Sequence, residues 1–192
     1  SLRKRINDPL QTKPNRFTEK RKIHNSYMVL GYKTVPRLHK DSYILDVITA
    51  ILGRGQSGWI FDEIRNKRGL AYQVGVLNEH DPDYGFFAVF AGLDKKNIEK
   101  AKEITLQQFR KLDKVNKKDV EEAKTYLEGN YTLNMEDNFH SADNSAFWET
   151  IKSASLADNY IKNIKKVEIN DIKKVAKKYL NKNYTLVSIE QN

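Results

Sequence analysis

The histidines are the first candidates for metal chemistry, and there are 4 of them. Two imidazoles reach one zinc ion from a single helix when they are spaced as in His-Glu-x-x-His or His-x-x-Glu-His. His24, His39, His80 and His140 lie far apart in the chain, so no zinc site assembles locally. His80 stands beside Glu79, Asp81 and Asp83, which reads as a solvated turn with scattered carboxylates. Gly53-Arg54-Gly55-Gln56-Ser57-Gly58 satisfies G-x-G-x-x-G, a pattern that cradles a pyrophosphate when it follows a strand and opens a helix. Here it follows the clearest helical pattern in the chain, which makes it a tight helix-to-helix turn. No G-x-S-x-G elbow is present, because Gly55-Gln56-Ser57-Gly58 has the wrong spacing, although a dispersed Ser-His-Asp triad stays open.

The remaining candidate is the stretch from Ser57 to Tyr72. Arg65 falls near the end of a short helix and Tyr72 near the start of a strand, with Gly69 allowing a sharp reversal between them. Two long polar side chains can converge there. The plainer reading has Arg65 on helix carbonyls and Tyr72 half-buried in a sheet.

The elements that would position these residues follow from periodicity. Ile23 to Tyr32 is short and rich in β-formers, hence a strand. Asp41 to Leu52 places Tyr43, Ile44, Val47, Ile48, Ile51 and Leu52 on one helical face. A shorter helix is expected over Trp59 to Lys67. Leu70 to Leu77 and Tyr84 to Leu93 form a hairpin around a turn-rich connection. Helices are expected over Asn97 to Leu112, Lys117 to Met135 with Asn116 as N-cap, Phe139 to Ser153, Leu156 to Lys165 and Ile169 to Leu180. Tyr184 to Ile189 closes as a strand. Strands at both ends with helices bunched between them predict an α+β fold, a small antiparallel sheet with several helices packed on one face. The polar start, with Pro9 and Pro14, reads as a linker or arm over residues 1–20, followed by a domain over 21–192.

Composition sets the bounds. The 192 residues, 39% hydrophobic, suffice for one domain with a core. The longest apolar stretch, Phe86 to Leu93, is too short to cross a bilayer, so a soluble protein with no membrane partner is expected. The absence of Cys excludes disulfides, thiolate metal sites and a cysteine nucleophile, and leaves the compartment open, with the cytoplasm favoured. Without an initiator Met or a signal-like leader, the chain reads as processed or as a piece of something longer. The net charge of +9 invites a nucleic-acid reading until the charges are located: residues 1–22 carry +6, residues 161–182 carry +6, and the rest nets −3. Lys173, Lys174, Lys177 and Lys178 recur opposite Ile172, Val175 and Ala176, the wet face of an amphipathic helix, and no nucleic-acid partner is expected.

The segment carrying Phe61, Glu63, Arg65 and Gly69-Leu70-Ala71-Tyr72 resembles the C-terminal half of the insulinase or pitrilysin family of zinc metallopeptidases, the inverzincins. The likeness runs from about Ile23 to Ile189 and takes in Asp81, Tyr84-Gly85-Phe86 and the last strand. It implies an α+β domain paired with a homologous half that carries His-x-x-Glu-His and a further Glu, in the same longer chain or as a companion subunit. The resemblance gives Arg65 and Tyr72 a supporting catalytic role on peptide held at the other half's zinc. It makes Gly53, Gly55, Ser57 and Gly58 candidate substrate-binding positions. Gly58 and Trp59 stand where Ser-Arg-Leu is more usual, which leaves subsite shape open. It implies no cofactor in this chain and zinc in the partner half, so the chain alone is expected to be inactive. The alternatives are a non-catalytic scaffold of the same fold and, on charge alone, a basic nucleic-acid-binding module.

Overall fold

The computed structural model describes residues 11–192. Its five strands are β1 (Asn15–Arg21), β2 (Ser26–Lys33), β3 (Ala71–His80), β4 (Gly85–Leu93) and β5 (Thr185–Gln191), in the spatial order β1-β5-β2-β4-β3. The helices are α1 (Asp41–Gly53), α2 (Trp59–Phe61, continued by a π turn over Asp62–Asn66), α3 (Ile98–Lys111), α4 (Lys117–Glu136), α5 (Asn138–Ile151), α6 (Tyr160–Lys165) and α7 (Ile169–Tyr179). The architecture is α+β, as periodicity predicts.

Alternation decides which face is covered. Met28, Leu30 and Tyr32 of β2, Phe87, Val89 and Leu93 of β4 and Leu186 of β5 point into one core, which they share with Leu45, Ile48, Ile51 and Leu52 of α1. The opposite face carries a row in register across the whole sheet: Phe17, Val187, Val29, Phe90 and Gly75. Phe17 is 62% exposed and Tyr27, beside the row, 50%. One face of the sheet is thus helix-covered, and the other is apolar and open.

Two expectations change. The sheet begins inside the segment read as an arm over 1–20: residues 1–10 lie outside the described residues, but Asn15–Arg21 pairs in parallel with Thr185–Gln191. An edge strand needs only backbone pairing, so its sequence shows no apolar alternation. The sheet is therefore mixed at that edge and antiparallel elsewhere.

His80 is not in a solvated turn. It ends β3, is 3% exposed, and its Nδ1 lies 2.6 Å from the Val35 carbonyl oxygen. Beside it, the Asp46 carboxylate accepts from Arg37 at 2.7 Å, from Asn78 at 2.9 Å and from the Tyr160 hydroxyl at 3.2 Å. Burial lowers the His80 pKa below its ordinary value, partly opposed by Asp46. This buried polar cluster joins α1, β3, α6 and the loop after β2.

Candidate functional site

The candidate site is built where α1 ends against β3. A Cβ at Gly53 would stand 2.7 Å from the Cβ of Val76, so only glycine lets the helix end lie on the strand. A Cβ at Gly58 would meet the backbone of Gly53 and Arg54 at 2.7 Å, and Gly55 sits at φ +45. The backbone N–H groups of Ser57 and Gly58 donate to the Arg54 carbonyl at 3.1 and 2.9 Å, and the Ser57 hydroxyl donates to the same oxygen at 3.3 Å. Gly53 and Gly58 therefore have packing roles, while Gly55 and Ser57 are exposed.

Arg54, a residue the sequence reading passes over, locks this turn. Its side chain is 12% exposed and ion-pairs Glu122 of α4, and its Nη1 is buried without a hydrogen-bond partner among the described residues. The α2 segment is held from the other side by Trp59, whose ring lies 4.1 Å from the Lys111 ammonium of α3.

Within α2, charges are unequally used. Lys67 pairs with Asp62 at 2.8 Å and Glu63 at 2.7 Å, and Arg68 donates to the Glu63 carbonyl at 2.9 Å and pairs with its carboxylate. The Lys67 hydrogen bond is foremost in holding the Glu63 carboxyl below its ordinary pKa. Arg65 is exposed, and among the described residues its guanidinium has no ion pair; it lies 5.3 Å from the centre of the Phe61 ring. The helix acids neutralise its neighbours and leave Arg65 available.

The chain then reverses at Gly69, whose φ is +57 and whose N–H donates to the Arg65 carbonyl at 2.9 Å. The β3–β4 ladder is irregular between Ala71 and Gln73, so Tyr72 sits at a bulge, where side chains are re-aimed. Tyr72 is 59% exposed and its hydroxyl donates to Asp94 at 3.2 Å. That bond raises the phenol pKa above its ordinary value. The Asn97 amide donates to the Leu70 carbonyl at 3.2 Å, so the segment after β4 anchors the turn as well as the phenol. Arg65 and Tyr72 are thus both exposed on either side of one fixed turn. Asp94 has no signal in the sequence, because its partner is 22 residues away.

Among the described residues no group of three or more His, Cys, Asp or Glu side chains could hold a metal ion. No helix among them is long and apolar enough to cross a membrane.

Against known proteins, the model of the family described as the peptidase M16 inactive domain matches residues 2–127. The chain is 24% identical over 178 residues to the uncharacterized zinc protease YmxG of Bacillus subtilis, covering 91% of this chain and 43% of that protein. It is 26% identical over 162 residues to the zinc protease PqqE of Helicobacter pylori, covering 82% of this chain and 36% of that one. The crystal structure of a protease from Helicobacter pylori superposes with a TM-score of 0.85 at 24% identity, over 95% of this chain and 45% of that one. The chain thus spans less than half the length of these relatives.

Proposed function

The chain belongs to the family of the peptidase M16 inactive domain, and from that premise we propose that it is the substrate-binding, transition-state-supporting half of a two-half zinc metalloendopeptidase. A homologous half would supply the zinc and the general base, since among the described residues no group of side chains fits a metal. The observation that carries the reading is the pair of exposed donors, Arg65, without an ion pair among the described residues, and Tyr72 at a bulge, on either side of the Gly69 turn.

The chemistry suits peptide hydrolysis. Charge develops on the carbonyl oxygen as a peptide bond is attacked, and fixed donors outside the attacking machinery stabilise it. A protonated phenol provides one such donor. A guanidinium provides a planar fork that grips peptide oxygens and stays charged at any working pH. Both become stronger when a second half closes over them and excludes water.

The open sheet face supports the pairing. A continuous apolar row of this kind on a sheet surface marks an interaction face. The occupant we assign is the homologous half, because the relatives carry more than as much chain again beyond the matched part.

The test is reconstitution. The chain and a separately produced zinc half from the same source should form a one-to-one complex that cleaves an internally quenched peptide. A complex with its zinc in place and no cleavage would favour the scaffold reading. No complex at all would remove the basis of the proposal.

A further inference from the structure

Lys174 and Lys178 of α7 stand on one wall of a groove of about 720 Å³ between α1, α6 and α7. Its apolar lining comes from Tyr43 and Ile44 of α1 with Val167 and Val175, and Leu38, 50% exposed, stands at its edge. Lys40, Lys166 and Lys174 also line it, all exposed and, among the described residues, without an ion pair. A fourth, Lys178, is already held by Asp41 at 2.8 Å. Asp171, the other acid in the lining, accepts from the Glu168 N–H at 3.1 Å as part of the α7 capping box.

We propose that this groove docks an acidic segment of a partner protein that also carries apolar side chains. Unpaired ammonium groups over an apolar floor match carboxylates alternating with a Leu-like residue, and both features are used at once. A phosphate polymer would leave the floor unused and lacks the Arg or stacking aromatics that normally accompany such binding, since the lining has no Arg and Tyr43 already packs against Tyr160. A flat bilayer does not reach the floor of a concave groove. The groove lies at the N-terminal end of α1 and the Gly-rich turn at its C-terminal end, about 20 Å away for a helix of this length, so the inference does not rest on the reading of Arg65 and Tyr72.

The experiment measures anisotropy of labelled peptides on the 192-residue chain at physiological ionic strength. A peptide of Glu-Glu-Leu repeats should bind, with Gln-Gln-Leu and Glu-Glu-Ser versions weaker by about tenfold. Lys166→Glu with Lys174→Glu should weaken binding about tenfold, whereas Lys177→Glu with Lys182→Glu, an equal change in net charge outside the groove, should change it less than about threefold. Leu38→Ser should weaken it severalfold without altering the thermal melt. Equal weakening by the two lysine pairs would reduce the effect to net charge and overturn the proposal. So would absence of binding, or tighter binding of an oligothymidylate that responds to the same groove variant.

Discussion

The Tyr72 hydroxyl donates its single proton to the Asp94 carboxylate across 3.2 Å. In the proposed role, a peptide oxygen that takes this proton displaces Asp94, whose hydrogen bond raises the phenol pKa. In the proposed two-half complex, Tyr72→Phe removes one hydrogen bond and almost no volume. We expect kcat to fall roughly a hundredfold, the scale of losing one oxyanion donor, with an unchanged thermal melt because the side chain is exposed. Wild-type kinetics would return Tyr72 to a surface role. In the isolated chain, Asp94→Asn should bring the phenol pKa down toward its ordinary value, read by ultraviolet titration against Tyr72→Phe.

Arg65 and Arg68 make a matched pair for substitution. Arg68 is tied to Glu63, whereas Arg65 lies near the Phe61 ring and, among the described residues, has no ion pair. Arg65→Lys replaces a planar fork with a point charge and should lower kcat/KM by about tenfold or more. Arg68→Lys keeps a cation beside Glu63 and should stay within about twofold, since exposed ion pairs contribute little. Equal effects of the two would mean that local charge alone matters at this corner.

Much of this corner was legible in sequence, and what was not has a physical cause. The spacing of Val47, Ile48, Ile51 and Leu52 announces α1, and Asn116 announces α4, where its side chain accepts from the Asp119 N–H at 3.0 Å and Asp119 answers in a capping box. Gly69 announces the reversal. The β1 strand was hidden because Asn15–Arg21 is held by its ladder with β5 and has no buried face of its own. Arg54–Glu122 and Tyr72–Asp94 join residues remote in sequence, and neither leaves a periodic trace. The π turn over Asp62–Asn66 has no composition signature, yet it determines where Arg65 sits.

The close approach at Gly53 predicts a measurable steric cost. Gly53→Ala places a methyl 2.7 Å from the Val76 Cβ, so the chain should lose about 1–3 kcal/mol, the range for overpacking. Val76→Gly removes both the Cβ and the Cγ2 that the new methyl would meet. In a double-mutant cycle by urea unfolding, the pair should be less destabilised than the sum of the singles. Strict additivity would show that Gly53 is chosen for some reason other than this contact.

The buried cluster around His80 gives the last prediction. Its Nδ1 faces the Val35 carbonyl and its Nε2 lies 2.7 Å from the Asn78 amide, with Asp46 3.8 Å away and Arg37 paired to Asp46. Nδ1–H donates to the carbonyl and Nε2 accepts from the amide, so the ring is seated neutral. Its folded pKa lies below the ordinary 6.5, whereas the unfolded chain protonates normally. As pH falls below about 6.5, the unfolded state therefore takes up a proton that the folded state refuses, and stability declines by up to about 1.4 kcal/mol per pH unit until the folded pKa is reached. Above that window the contribution is fully present. His80→Gln lacks the titration, so its stability, although lower at neutral pH, should show a flatter decline between pH 7 and 5 in urea titrations. The carboxyl of Asp41, held below its ordinary pKa by Lys178 and Tyr179 against the opposing effect of burial, acts in a lower window, below its unfolded value near 3.8, and does not confuse the comparison. Parallel pH profiles for the wild type and His80→Gln would place the acid sensitivity outside this cluster.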